Sequence, residues 1–151
     1  IAPNVNSFAR LTPGFWAPTA ATWGVDNRTV AVRVIPGSEN SHRLEYRVPG
    51  SDVNLYLSMS AAFGSGLLGI DQEIEPDEIS TGNAYERQIP IARQLPPNLE
   101  AAAEIFGGSK AAADLFGPAF TQHFAGSRLF EARQFTRAVT DWELKRYFEI
   151  L

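Results

Sequence analysis

The sequence predicts an α+β fold, with antiparallel strands over about residues 20–48 and a helical carboxy-terminal half. Two observations carry that prediction. Residues 29–35 and 43–48 alternate at the two-residue period of a strand. From about residue 52 the apolar positions shift to three- and four-residue steps, the helical period. The 151 residues suffice for one domain with a core, about 68–70% of the unfolded surface being buried in a chain of this size.

The elements follow in order. Residues 1–20 read as an irregular lead-in, because Pro3, Pro13, Gly14 and Pro18 interrupt any long helix or strand. Residues 21–35 give one or two strands. Val30, Val32 and Val34 are expected to face a core, and Arg33 the other side. Residues 36–41 form a turn, and the strand over 43–48 returns as an antiparallel partner ended by Pro49-Gly50. The helix over 52–70 is slim, with Gly64, Gly66 and Gly69 on it. Each glycine costs about 1 kcal/mol of propensity against alanine, which calls for a packing reason.

Residues 71–98 read as a long acidic loop that is functional or pinned by neighbouring protein. A short helix over 99–106 stops at Gly107-Gly108, and Ser109 caps the next, through about Phe116. Gly117-Pro118 starts a helix running to the late 130s. Thr140 and Glu143 have capping-box spacing, which places a last helix from Asp141 to near the end.

Composition narrows the chemistry. Cysteine is absent, so disulfides, thiolate metal sites and cysteine nucleophiles are excluded. A net charge of -4 argues against bulk nucleic-acid binding, and no run of apolar residues is long enough for a membrane span. No signal peptide is visible, and a cytoplasmic enzyme is expected. The single methionine is Met59, so the sequence reads as a piece of a longer gene product. Every cation in the first fifty residues is an arginine, the side chain whose planar fork grips carboxylate and phosphate.

The richest stretch is Arg43-Leu44-Glu45-Tyr46-Arg47-Val48. On a strand, Arg43, Glu45 and Arg47 share one face at intervals of about 7 Å. Spacing alone leaves two readings, a self-satisfied salt-bridge ladder or a metal-ligating carboxylate between two anion-holding arginines. Arg33 on the neighbouring strand and Arg28 at its entry add to the same surface. Either this is a solvated sheet face, or it binds a polyanion such as ATP phosphates with magnesium, since so much like charge would be costly to bury without one. His42 is expected at the surface, since one histidine beside the strand makes no metal site, and His123 at the surface or in helix packing.

Several stretches resemble the glutamine synthetase family. Asn6-Ser7-Phe8-Ala9-Arg10-Leu11-Thr12-Pro13-Gly14 is similar to its N-S-Y-x-R-L-x-P-G lead-in. Asp26-Asn27-Arg28-Thr29 resembles the family's N-R-S/T segment, and Arg43 to Arg47 its R-x-E-x-R strand. Ala61-Ala62, Gly66-Leu67 and Gly69-Ile70 follow its small-residue helix, and residues 139–148 its carboxy terminus. The resemblance spans nearly the whole chain and implies that residues 1–151 are a carboxy-terminal part of a catalytic domain.

It further implies ATP and Mg2+ or Mn2+ as cofactors, glutamate and an amine as substrates, and a ring-shaped homo-oligomer of the full-length protein. Arg10 and Arg47 would hold glutamate; Arg28 and Arg33 would hold the ATP phosphates and the phosphoryl group in transit, Arg28 as a catalytic residue, and Arg43 would contact the nucleotide. Glu45 would ligate one metal. Most of the family's metal-binding glutamates lie upstream of this segment, which implies that the chain alone is inactive.

Two departures stand out. Where the family's flap reads R-L-x-P-G-x-E-A-P, this chain has Trp16 in the place of the acid. Tryptophan accepts no proton, but its face holds an organic cation. Trp16 is therefore expected to act at the amine step. It directs the resemblance toward the γ-glutamylpolyamine and γ-glutamylputrescine synthetase branch rather than an ammonia-using synthetase, and it is equally compatible with a non-catalytic binding or assembly module. Leu55 stands where the family has a helix-starting proline. Tyr85 falls near the tyrosine that some bacterial members adenylylate.

Overall fold

A computed structural model describes residues 1–150. The lead-in makes one 3-10 turn, Val5–Phe8, and is fastened at its start. The Ser7 hydroxyl donates to Asp52 at 2.7 Å, while the Asn4 backbone N–H donates to Ser7 Oγ at 3.2 Å. The Arg10 guanidinium reaches further and donates to the carbonyls of Arg47, Val48 and Pro49 at 2.6–3.3 Å.

Three strands form one sheet in the order β1 (Trp23–Val25), β2 (Val32–Ile35) and β3 (Arg43–Tyr46). β2 and β3 are antiparallel, with Arg33 opposite Glu45, as the alternation predicts. β1 departs from the expectation of antiparallel strands throughout and runs parallel to β2, Trp23 beside Val32. The cause is the short loop between them. Asp26 takes a left-handed φ of 47°, and the Thr22 carbonyl accepts from both Ala31 and Val32, so the chain doubles back and rejoins β1 in the same direction. Three residues are too few to show an alternation that could have signalled this.

The valines also depart in part. Val30 is fully buried but lies in the loop, whereas Val32 and Val34 are only half-buried. β3 stops two residues short of the predicted end, although the Arg47 N–H still donates to the Ala31 carbonyl at 2.8 Å.

The long loop over 71–98 is pinned to the sheet of this same chain. The Ser80 N–H donates to the Trp23 carbonyl at 2.9 Å, and the Asn27 side-chain amide donates to Ser80 and Gly82 carbonyls at 3.2 and 2.8 Å. A Cβ on Gly24 would stand 2.7 Å from the Ser80 carbonyl oxygen, so glycine there permits the close approach. Two 3-10 turns, Ala84–Glu86 and Ile91–Arg93, give the loop its local order.

The helices are α1 (Leu55–Asp71), α2 (Leu99–Gly107), α3 (Lys110–Phe116), α4 (Pro118–Arg137) and α5 (Asp141–Tyr147). Asn54, Asn98, Ser109 and Thr140 accept from backbone N–H groups of the first turn, so each of these helices starts at a side-chain cap. Pro118 occupies the first position of α4, following Gly117 at a φ of 82°.

α2, α3 and α4 enclose a core of Leu99, Ala103, Ala112 and Ala125 beside the ring cluster Phe106, Phe116, Phe120 and Phe124. The buried Thr121 hydroxyl donates to the Ala112 carbonyl at 3.2 Å. α1 differs: Ser58 is its only buried residue. Of its glycines, Gly64 meets the Leu115 side chain closely, but Gly66 and Gly69 face open space, so the anticipated packing reason holds for one of three.

Candidate functional site

The site grows from the register of two strands. Pairing Arg33 with Glu45 sets a guanidinium beside a carboxylate on one face of the sheet, and alternation along β3 brings Arg47 to the same carboxylate. Arg33 Nη1 donates to Glu45 Oε2 at 3.2 Å, and Arg47 Nη1 donates to Glu45 Oε1. Burial pushes the Glu45 carboxyl up, but the Arg47 hydrogen bond and the two positive charges outweigh it and hold the group below its ordinary value. Glu45 is therefore ionised at neutral pH.

Arg33 has a second partner, Asp26, which turns toward it from the loop after β1. The Arg33 hydrogen bond holds Asp26 below the ordinary carboxylate range and raises the guanidinium in return. Asp26 was not singled out in the sequence, because its contact depends on the parallel β1–β2 pairing and on its own left-handed turn.

Arg47 divides its donors. Besides Glu45 it reaches the Trp16 carbonyl through Nη2 at 2.6 Å, while its Nε is buried and has no partner among the described residues. Arg47 thus keeps unused bonding capacity while the residue itself lines a cavity. Arg28 is exposed and makes no side-chain hydrogen bond or ion pair among the described residues. Trp16, Arg28, Arg33, Glu45 and Arg47 together line an open cavity of about 420 Å³. It adjoins a larger one of about 940 Å³, walled by Trp16, Arg28, Arg33 and the loop that carries Tyr85.

Two predicted residues lie elsewhere. Arg43 shares the strand face but is exposed, and its guanidinium folds back onto the Ser41 carbonyl at 3.1 Å. The surface expected to gather four arginines therefore gathers three. Arg10 is engaged by three backbone carbonyls and lines neither cavity. Its position supports the turn after β3, which carries Arg47. His42 and His123 are both exposed, as expected.

The donor set fits a polyanion: three guanidiniums face one cavity against one carboxylate within its wall. For a divalent ion it supplies a single carboxylate ligand. Among the described residues no three acidic or histidine side chains cluster, whereas Mg2+ takes six oxygens. Glu45 can be one ligand of a metal bound also to phosphate, water and other protein groups. Trp16 adds an exposed aromatic face in the left-handed conformation, φ 54°.

Comparison with known proteins agrees along the whole chain. Residues 1–147 match the family model described as glutamine synthetase, catalytic domain. The chain is 44% identical over 99% of its length to type-1 glutamine synthetase 2 of Dictyostelium discoideum, and covers 29% of that protein. It is 40% identical over 99% of its length to a glutamate–isopropylamine ligase of Pseudomonas sp, covering 32% of it. Among solved structures, the GmaS/ADP complex superposes with a TM-score of 0.81 at 31% identity, over 99% of this chain and 35% of that one. The chain thus spans about a third of the length of the proteins it matches.

Proposed function

The chain belongs to the glutamine synthetase family, and from that premise we propose that it supplies the anion-binding wall and the amine-facing flap of an ATP-dependent glutamate–amine ligase. The observation that carries the reading is the Arg47 guanidinium, with one orphaned donor, set beside Arg28 and Arg33 on a shared cavity. Catalysis of phosphoryl transfer is mostly positioning and charge stabilisation, which is what three converging guanidiniums provide.

In the proposed reaction the γ-carboxylate of glutamate attacks the terminal phosphoryl group of ATP, giving γ-glutamyl phosphate and ADP. The amine, as its free base, then adds to the acyl carbon, the C–O bond to phosphate breaks, the proton shed by the nitrogen leaves with the departing phosphate, and an amide remains. Arg28 and Arg33 take the phosphates and steady the charge on the group in transit. Arg47, whose guanidinium lines the cavity, takes the carboxylate of glutamate. Glu45 contributes one ligand to Mg2+ or Mn2+; when bound, the ion neutralises charge on the phosphates. Arg43 contacts the nucleotide only by leaving its Ser41 carbonyl. Arg10, occupied as it is, acts by holding the turn behind Arg47, in place of the direct glutamate contact that the resemblance implies.

The amine is read as organic. An indole face attracts an alkylammonium group by about 0.5–2 kcal/mol, and the acid that handles ammonium in the family is replaced by Trp16. The isopropylamine-using relative supports the same direction. Since the chain covers about a third of its relatives, the active form is read as a longer polypeptide in a homo-oligomeric ring, and the 151 residues alone as inactive. Among the described residues no helix is long and apolar enough to cross a membrane.

An amine panel on the complete enzyme tests the reading. Phosphate release dependent on ATP, glutamate and an organic amine is expected, with kcat/KM for isopropylamine or putrescine above that for ammonia. Clear preference for ammonia would refute the role given to Trp16. Turnover by the isolated 151 residues would refute the reading of this chain as one part of the site.

A further inference from the structure

We infer that Tyr85 is a positioning residue that sets amine specificity by latching the peptide that carries Trp16; the inference rests on the ligase reading above. Trp16 sits at a φ of 54°, a region that bulky residues avoid and keep only when neighbours over-determine it. Two consecutive carbonyls are held here. The Trp16 carbonyl accepts from Arg47, and the next one, Ala17, accepts from the Tyr85 hydroxyl at 2.9 Å. Ala17 is buried, and its carbonyl has no other donor among the described residues. Removing one hydroxyl would leave a buried acceptor unsatisfied and one end of the strained peptide loose.

Tyr85 is itself mounted on a firm base. Its N–H donates to the Asn83 side chain at 3.2 Å, and the Ala84 N–H donates to the Thr29 hydroxyl at 2.9 Å. The Thr29 hydroxyl in turn donates to the Asn27 side chain at 2.7 Å, and Asn27 grips the carbonyls of Ser80 and Gly82. The turn that bears Arg28 and the loop that bears Tyr85 are therefore one hydrogen-bonded unit. Tyr85, Trp16 and Arg28 also wall the same 940 Å³ cavity. The phenol hydroxyl thus ties the peptide beside the indole to the unit that bears Arg28, next to the tie that Arg47 makes to the Trp16 carbonyl. An alkylamine that touches the indole depends on that tie, whereas ammonia, too small to span the wall, does not.

The experiment is a double-mutant cycle in the complete enzyme, with wild type, Y85F, W16A and the double variant. Isopropylamine, putrescine and ammonia are varied in turn, and the thermal midpoint of each variant is recorded. Y85F is expected to raise KM for the organic amines about five- to tenfold, the scale of one lost hydrogen bond. Its kcat, and its KM for ATP, glutamate and ammonia, are expected to stay within about twofold. In the W16A background the same hydroxyl deletion is expected to leave organic-amine KM unchanged.

A general structural role would instead move every KM together and persist without Trp16, and that result overturns the latch. An unchanged organic-amine KM in Y85F, alongside a clear effect of W16A, overturns the latch alone. If W16A also has no effect on any amine, the role proposed for Trp16 falls and the latch falls with it.

Discussion

α1 and α4 are the two long helices of the chain, and their surroundings are opposite. α4 is gripped by α2 and α3, stacks Phe120 and Phe124 into the ring cluster, and ties to the lead-in through Arg128, which donates to the Pro3 carbonyl at 3.0 Å. α1 is the more apolar of the two, yet it exposes Leu55, Tyr56, Met59, Phe63, Leu67 and Ile70. Its Asn54 cap and small residues equip it for close packing, and Gly64 meets Leu115 of α3, but most of its apolar face stays uncovered. The helical half completes its own core. The half bearing α1 and the site keeps its surfaces open.

The contrast can be tested by substitutions ranked by effect, each measured as unfolding free energy of the isolated chain by urea titration. Leu99→Ala in the closed half removes a side chain that is 3% exposed, and a loss of about 2–5 kcal/mol is expected. A loss below 1 kcal/mol would mean that the helical core is loosely formed. Arg10→Ala comes next. It strips donors from three carbonyls after β3 and is expected to cost about 1–3 kcal/mol. Arg10→Lys should restore only part of that, because an ammonium has no planar fork. Full rescue by lysine would show that charge alone suffices there.

Asp52 gives a smaller, pH-dependent effect. The Ser7 hydrogen bond, helped by Asn4 and set against burial, holds its carboxyl below the ordinary value. A depressed carboxylate stabilises the fold above its unfolded pKa of about 4, and the benefit is lost as pH falls through the folded value. Wild type should therefore lose more stability than Asp52→Asn on moving from pH 6 to pH 3. Parallel pH profiles would refute the role given to the Ser7–Asp52 bond. Smallest of all, Phe63→Ser on α1 should shift stability by less than about 0.5 kcal/mol, since that side chain is 68% exposed. It should also reduce self-association seen by light scattering, because a contiguous apolar face favours aggregation. A large loss of stability would show that α1 is packed in solution.

Much of this arrangement is legible in the sequence. The capping residues Ser109 and Thr140 stand where their helices begin, and Gly117-Pro118 marks the start of α4. Alternation from Arg43 to Arg47 suffices to put Glu45 among arginines. What escapes is set by contacts remote in sequence. The direction of β1 depends on a loop turn at Asp26. Arg43 and Arg10 look equivalent to the site arginines as letters, yet one folds onto Ser41 and the other into backbone carbonyls. The helical period of α1 marks an apolar face without revealing what covers it. Tyr85 is visible as a tyrosine in a loop, but its bond to Ala17 spans 68 positions.

One guanidinium touches both sides of the proposed chemistry. Arg47 holds Glu45 with one nitrogen and the flap carbonyl of Trp16 with another, and a third has no partner. In a ligase, an acidic substrate drawn to this guanidinium would redistribute its three nitrogens among their partners. Glutamate affinity and amine affinity would then be reciprocal quantities: whatever factor one substrate imposes on the other's binding, the second must return. Arg47 makes the coupling between the two substrates a property of one side chain, whichever of them enters first. Equilibrium binding of each substrate, with and without the other, measures that shared factor directly.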